Sequence, residues 1–172
     1  MKNIIRKTNY KGFLDKVVGL LEKAREKAVH QVNTIITQTY WEIGKLIVEE
    51  QKGKKRTKYG EYLIQKLSQD LTKKFGKGFD IANIKNIRQF YLTYPKLYGK
   101  SKESPGSKSY ALRSQLTWTH FRILMRVEDE LTRQFYEIET IRNEWSTREL
   151  DRQINSLLFE RVSLISIHRI ST

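Results

Sequence analysis

The chain has 172 residues, no cysteine, a mean hydropathy of −0.62 and a formal charge of +14. Disulfide scaffolds and thiolate chemistry are thereby excluded, and no run of about 18 apolar residues offers a membrane span. The charge is unevenly placed: residues 1–60 carry 14 Lys+Arg against 6 Asp+Glu, residues 61–113 carry 11 against 4, and residues 114–172 carry 8 against 9. The basic first two thirds point to a polyanionic partner. Anionic lipid fits less well, because no basic amphipathic helix shows an exposed Trp/Phe/Leu face. A generally lysine-rich proteome is the plainer source of the same charge. The N-terminus lacks the apolar core of a signal peptide, and the absence of cysteine fits a reducing compartment, so a cytoplasmic location is expected.

Residues 1–12 read as a basic arm. Residues 13–51 read as helix almost throughout, with Phe13, Leu14, Val17, Val18, Leu20, Leu21, Ala24 and Ala28 on one apolar face. Val32, Ile35, Ile36, Tyr40, Ile43, Ile47 and Val48 continue that face, and Gly44 is the only glycine between Gly19 and Gly53. A helix this long, roughly 58 Å at about 1.5 Å per residue, exceeds a small domain. It either bends near His30–Asn33 or projects and packs against a second copy of the chain, making a homo-oligomer. Residues 52–58 then form a basic loop in which Lys54, Lys55 and Arg56 suit phosphate contact, with a solvated linker as the plain alternative.

Residues 61–94 read as helix, glycine turn, helix. Leu63, Ile64, Leu67, Leu71 and Phe75 share one face of the first helix. Gly76-Lys77-Gly78 stops it, because glycine accepts the left-handed backbone of a C-terminal cap. Asp80 is the expected N-cap of a second helix, Ile81 to Tyr94, which ends before Pro95. Its buried side would be Ile81, Ile84, Ile87, Phe90, Tyr91 and Tyr94. Its outer side would be Asn83, Lys85, Asn86, Arg88, Gln89 and Thr93. Two helices on a short glycine turn fit a helix-turn-helix. Asn and Gln suit adenine, and Arg and Lys suit guanine. Candidate nucleic-acid contacts are therefore Asn83, Lys85, Asn86, Arg88 and Gln89, with Lys77 in the turn. An ordinary helical hairpin with a solvated polar face is the alternative.

Residues 95–115 are rich in Ser, Lys and Gly. They read as a loop that is mobile in the free chain, or as the hairpin wing of a winged helix, contributing Lys96, Lys100, Lys102, Lys108 and Arg113. Three further helices are expected. Trp118–Arg126 opens at Thr117 or Leu116. Glu130–Trp145 is capped by Asp129, with Leu131, Phe135, Ile138 and Ile141 inward. A last helix opens at Ser146, whose spacing to Glu149 matches a capping box, and runs to about Arg161. Residues 162–172 form an unassigned tail.

Nothing in the sequence specifies a catalytic or metal site. His30, His120 and His168 are scattered, and no His-Glu-x-x-His pattern occurs. Gly76-Lys77-Gly78 lacks the Gly-Lys-Ser/Thr ending of a phosphate-binding loop. The acidic pairs Glu49-Glu50, Glu128-Asp129-Glu130 and Glu137/Glu139 read as solvated faces. No cofactor and no metal are expected.

A set of phrases does carry a family resemblance. They are Thr39-Tyr-Trp-Glu-Ile-Gly44 with Ile47-Val-Glu-Glu50, Tyr59-Gly60 with Leu67-Ser68, and Phe75-Gly-Lys-Gly-Phe79. Then follow Asn83-Ile-Lys-Asn-Ile-Arg-Gln-Phe-Tyr91, Leu116-Thr-Trp-Thr-His-Phe-Arg122 with Arg126-Val-Glu-Asp129, and Asn143-Glu-Trp-Ser-Thr-Arg148 with Asp151-Arg-Gln-Ile154. Together they resemble the N-terminal domain of YhcG-like bacterial proteins, a domain of unknown function, over roughly residues 14–161. The resemblance implies a helical, winged-helix-like DNA-binding module ahead of a metal-dependent nuclease domain of the PD-(D/E)XK type. This sequence has no Pro-Asp dipeptide, so no nuclease residue is carried over. The chain is expected to be a fragment or a naturally truncated form.

The resulting expectation is an all-α domain over residues 13–161: a long N-terminal helix, a helix-turn-helix centre and a helical C-terminal layer. It would be a non-enzymatic DNA-binding module that targets or assembles a nuclease domain or subunit. The alternative is a helical interaction or oligomerisation module with no direct nucleic-acid contact.

Overall fold

The computed structural model describes residues 2–52, 57–98 and 115–170, and among these seven helices and no strand occur. The helices are α1 (Lys2–Gln51), α2 (Thr57–Phe75), α3 (Ile81–Thr93), α4 (Trp118–Leu124), α5 (Glu130–Arg142), α6 (Thr147–Asn155) and α7 (Leu158–Ile170). The all-α expectation holds, with the long helix first, the hairpin α2–α3 in the centre and α4–α7 as the C-terminal layer.

Helix α1 is unbroken through His30–Asn33. The backbone of the segment read as an arm is helical from Lys2 onward. The two ends of α1 live in different surroundings. Thr37, Trp41, Gly44 and Ile47 are buried, at the three- and four-residue spacing of one helix face. Farther back, Tyr10, Phe13, Leu20, Leu21, Val29 and Val32 are 54–70% exposed. The apolar face expected over residues 13–28 therefore exists in sequence but stays largely exposed among the described residues.

The buried end of α1 lies chiefly against α3. Gly44 makes the close approach possible: a Cβ there would run into the carbonyl oxygen of Ile87 on α3. Around this crossing Ile47, Ile64, Ile84 and Ile87 form one core cluster. A second cluster centres on Trp41, Phe90, Tyr94, Phe121, Leu124, Tyr136 and Leu150. Fully burying one such side chain contributes about 1.5–3 kcal/mol. Trp118 touches both clusters, with its ring 5.0 Å from that of Tyr40 and 5.4 Å from that of Phe90. Trp41 donates its indole N–H to the carbonyl of Tyr94 at 2.6 Å, which fastens α1 to the C-terminal end of α3.

The expected cap residues are in place. Asp80, Thr117, Asp129 and Ser146 each accept a backbone N–H of the following turn. The reciprocal capping box forms between Thr117 and His120. At Ser146 only half of it forms, because the Glu149 carboxylate turns to Arg152 and Gln153 instead.

Several expectations are corrected. Leu131 and Ile138 are 70% and 57% exposed, and α5 buries Tyr136, Glu137 and Thr140 instead. The Tyr136 hydroxyl explains that face, since it donates to the Gln153 carbonyl and accepts from the Phe159 N–H, tying α5 to α6 and α7. Helix α5 also ends at Arg142, with Glu144 in the left-handed region at φ 50°. The single helix expected from Ser146 to Arg161 is broken at Leu157, whose φ of 53° interrupts the helical path. The segment left unassigned is helical as far as Ile170. Phe75 and Ile81, expected to be buried, are 62% and 43% exposed, because they lie at the open end of the hairpin; the Phe75 ring rests near Phe79 at 6.1 Å.

A candidate nucleic-acid interface on helix α3

The turn between α2 and α3 is built from local chemistry. Gly76 and Gly78 have φ of 83° and 108°, a region that side-chain-bearing residues rarely occupy. Lys77 stands exposed between them. Ser68 on α2 donates to the carbonyl of Phe79 at 2.7 Å and holds the turn against the hairpin. Asp80 then starts α3 by accepting the Asn83 N–H at 2.9 Å.

Along α3, Ile84, Ile87 and Phe90 are fully buried, and they lock the helix on to α1 and α4. The polar residues expected on its outer side divide into two groups. Asn83 and Arg88 are fasteners. The Asn83 amide donates to the Gly78 carbonyl at 2.6 Å and its oxygen accepts the Trp118 indole N–H at 3.2 Å. Arg88 donates to the side-chain oxygen of Gln51 at 2.7 Å, and Gln51 donates to the Gly60 carbonyl at 3.5 Å, so Arg88 ties α3 to the facing ends of α1 and α2. Lys85 and Gln89 are exposed, Asn86 is half-exposed, and Gln89 donates along its own helix to the Thr93 hydroxyl at 3.2 Å. Lys54, Lys55, Arg56, Lys100, Lys102, Lys108 and Arg113 lie outside the described residues, as does the segment read as a wing or mobile loop from 99 to 114.

The open side of α3 runs between two clefts. Gln89 borders one of about 740 Å³, which Lys96, Glu128 and Glu130 also line. Its arginine, Arg133, is already held by the carbonyls of Val127 and Glu128, at 2.8 and 3.2 Å, and lies 5.6 Å from the Tyr94 ring centre. Asn86 borders the other cleft, of about 530 Å³, whose cations are Arg122, Arg126 and Arg148. Sequence reading missed these arginines. They belong to α4 and α6 and the turn after α4, in a part of the chain without net positive charge. Only the spacing of Arg122 and Arg126, one helical turn apart, hinted at a shared side.

The remaining histidine chemistry is structural. His120 is buried, with Nδ1 at 2.8 Å from the Thr117 hydroxyl and Nε2 at 3.1 Å from the Trp145 carbonyl. Burial lowers its pKa below 6.5, and the Trp145 carbonyl opposes this only in part. No cluster of three or more His, Cys, Asp or Glu residues able to hold a metal occurs among the described residues. Among them, too, no helix is long and apolar enough to cross a membrane.

Residues 16–161 match the model of the DUF1016 N-terminal domain family, and the chain belongs to that family. It is also 35% identical over 177 residues to a protein of Escherichia coli (strain K12) named "Putative nuclease YhcG". That match takes in 90% of this chain and 47% of the relative, so the chain spans about half the length of the curated relative it matches. No solved structure matches the chain.

Proposed function

We propose that this DUF1016 N-terminal domain is a nucleic-acid-binding module, with DNA as its target, that places or assembles a nuclease. The observation that carries the reading is the two-sidedness of α3. Ile84, Ile87 and Phe90 are sealed beneath the helix, while Lys85 and Gln89 stay exposed and Asn86 half-exposed on its other side. Such a helix can enter a groove without disturbing the core that holds it. Asn86 and Gln89 offer the amide groups that suit adenine, Lys85 and Lys77 offer charge, and Lys54, Lys55 and Arg56 of the basic loop add phosphate contacts. The likeness to a protein named as a nuclease, over only half of that protein, supports a division in which this domain binds and another part cuts. The module acts in the cytoplasm and needs no cofactor of its own.

A salt-dependent titration of the chain against duplex DNA tests this. Binding should weaken steeply with salt, and Asn86→Ala or Gln89→Ala should cost about 1–3 kcal/mol on a preferred sequence. Salt-insensitive or absent binding would set the reading aside. The module itself is proposed to be non-catalytic, so DNA incubated with it and magnesium or manganese should remain intact.

A second reading rests on α1. Its projecting half carries a long apolar stripe that stays largely exposed among the described residues. The stripe suits a homo-oligomer in which α1 pairs with α1. If DNA binding fails, this interaction role becomes the primary one.

A further inference from the structure

Three arginines meet in the cleft that Asn86 borders, although residues 114–172 carry 8 Lys+Arg against 9 Asp+Glu. We propose that this cleft holds the phosphodiester backbone of a nucleic acid and thereby sets the register of α3 on its target. The inference rests on the nucleic-acid reading above.

Thr119, Arg122 and Arg126 recur at spacings of three and four, so one side of α4 and its following turn lines the cleft. Thr147 and Arg148, from the first turn of α6, line the same cleft, and the positive end of that helix favours an anion. Asp151 is the one carboxylate on the rim, and Arg126 pairs with it at 2.9 Å. Among the described residues neither Arg122 nor Arg148 forms an ion pair. Two uncompensated guanidinium forks beside two threonine hydroxyls match the planar, multi-oxygen face of a phosphate better than that of a single carboxylate. The cleft is a local arrangement of cations from separate helices, so a basic proteome does not account for it. Asn86 links it to α3: a backbone seated here passes directly beside the side chains that face a groove. Phosphate contacts fix orientation while α3 supplies preference.

The test is fluorescence anisotropy of the whole chain with a short labelled duplex across a range of salt. The double variant Arg122→Ala/Arg148→Ala should weaken binding to every sequence and flatten the log–log salt slope by about 1.8, or about 0.9 for each lost contact. Asp151→Asn releases Arg126 and should strengthen binding and steepen the slope by up to about 0.9, a gain that misfolding does not produce. If the unaltered chain binds and both variants titrate like it, the cleft assignment is overturned while the nucleic-acid reading stands. If the unaltered chain fails to bind even at low salt, both fall.

Discussion

Trp118 donates its indole N–H to the side-chain oxygen of Asn83 at 3.2 Å, while the Asn83 amide donates to the Gly78 carbonyl at 2.6 Å. Asn83 thus joins the glycine turn to the first residue of α4, and a side chain expected to read a base is engaged in holding the scaffold. Asn83→Ala should lower stability by about 1–2 kcal/mol, since it leaves a donor and an acceptor to be satisfied by solvent. The salt slope of DNA binding should stay unchanged. Urea unfolding with a parallel binding titration checks both; a large loss of sequence preference at unchanged stability would return Asn83 to the reading group.

Gly44 and Gly19 lie on the same helix and should respond in opposite directions. Gly44→Ala places a methyl against the Ile87 carbonyl and 3.0 Å from the Tyr91 Cβ, so α1 and α3 must move apart. We expect a loss of about 1–3 kcal/mol, which outweighs the gain in helix propensity. At Gly19 an added Cβ meets nothing within 4 Å, and Gly19→Ala should raise stability by about 0.5–1 kcal/mol. Denaturant midpoints that shift the same way for both would contradict the packing described.

The buried His120 makes stability depend on pH. Its folded pKa lies below the unfolded value of 6.5, chiefly through burial. As pH falls, the unfolded chain takes up the proton first, so stability is fully present above about 6.5 and declines as pH drops through that value toward the folded pKa. Unfolding curves collected between pH 8 and pH 5 should show this decline. His120→Asn should be less stable at pH 8 and show a smaller decline below it; an unchanged pH dependence would mean that the imidazole is protonated equally in both states.

The projecting half of α1 should drive assembly. Leu14, Leu21, Ala28 and Ile35 recur every seven residues, and Tyr10, Val17 and Ala24 form a second such series four residues ahead of them, the spacing of a coiled-coil seam. A dimer or larger oligomer is expected by light scattering at high micromolar concentration, and Leu14→Glu/Leu21→Glu should give a monomer that keeps its fold. A monomeric unaltered chain at that concentration would remove the idea.

What could be read from the sequence was local. The caps at Asp80, Asp129 and Thr117 depend on a side chain and an N–H three residues apart, so residue type alone reveals them. The helical hairpin was legible for the same reason, through its glycine turn and the periodic Ile84 and Ile87. The inward face of α5 was not, because Tyr136 is chosen by Gln153 and Phe159 on other helices, and a count of apolar residues prefers Leu131 and Ile138. The break at Leu157 was hidden because leucine gives no sign of a left-handed backbone. At the candidate site the accessible trio Lys85, Asn86 and Gln89 followed from helical periodicity. The structural roles of Asn83 and Arg88 did not, since their partners Trp118 and Gln51 are far away in sequence. The arginine cleft exists only once α4 and α6 are side by side.

Because α1 is one continuous helix, its free and embedded ends share an axis. The stretch from Tyr10 to Val32 extends roughly 35 Å along it. In an assembly gripped by that stretch, the separation between two folded cores is measured out by helix rise and not by a slack tether. Removing seven residues from the free half would draw each core about 10 Å closer to the contact and keep nearly the same rotation, whereas removing two or three would swing its α3 toward another side of the particle. In such an assembly the spacing and mutual facing of the α3 surfaces would be a length and an angle encoded as a number of residues in α1.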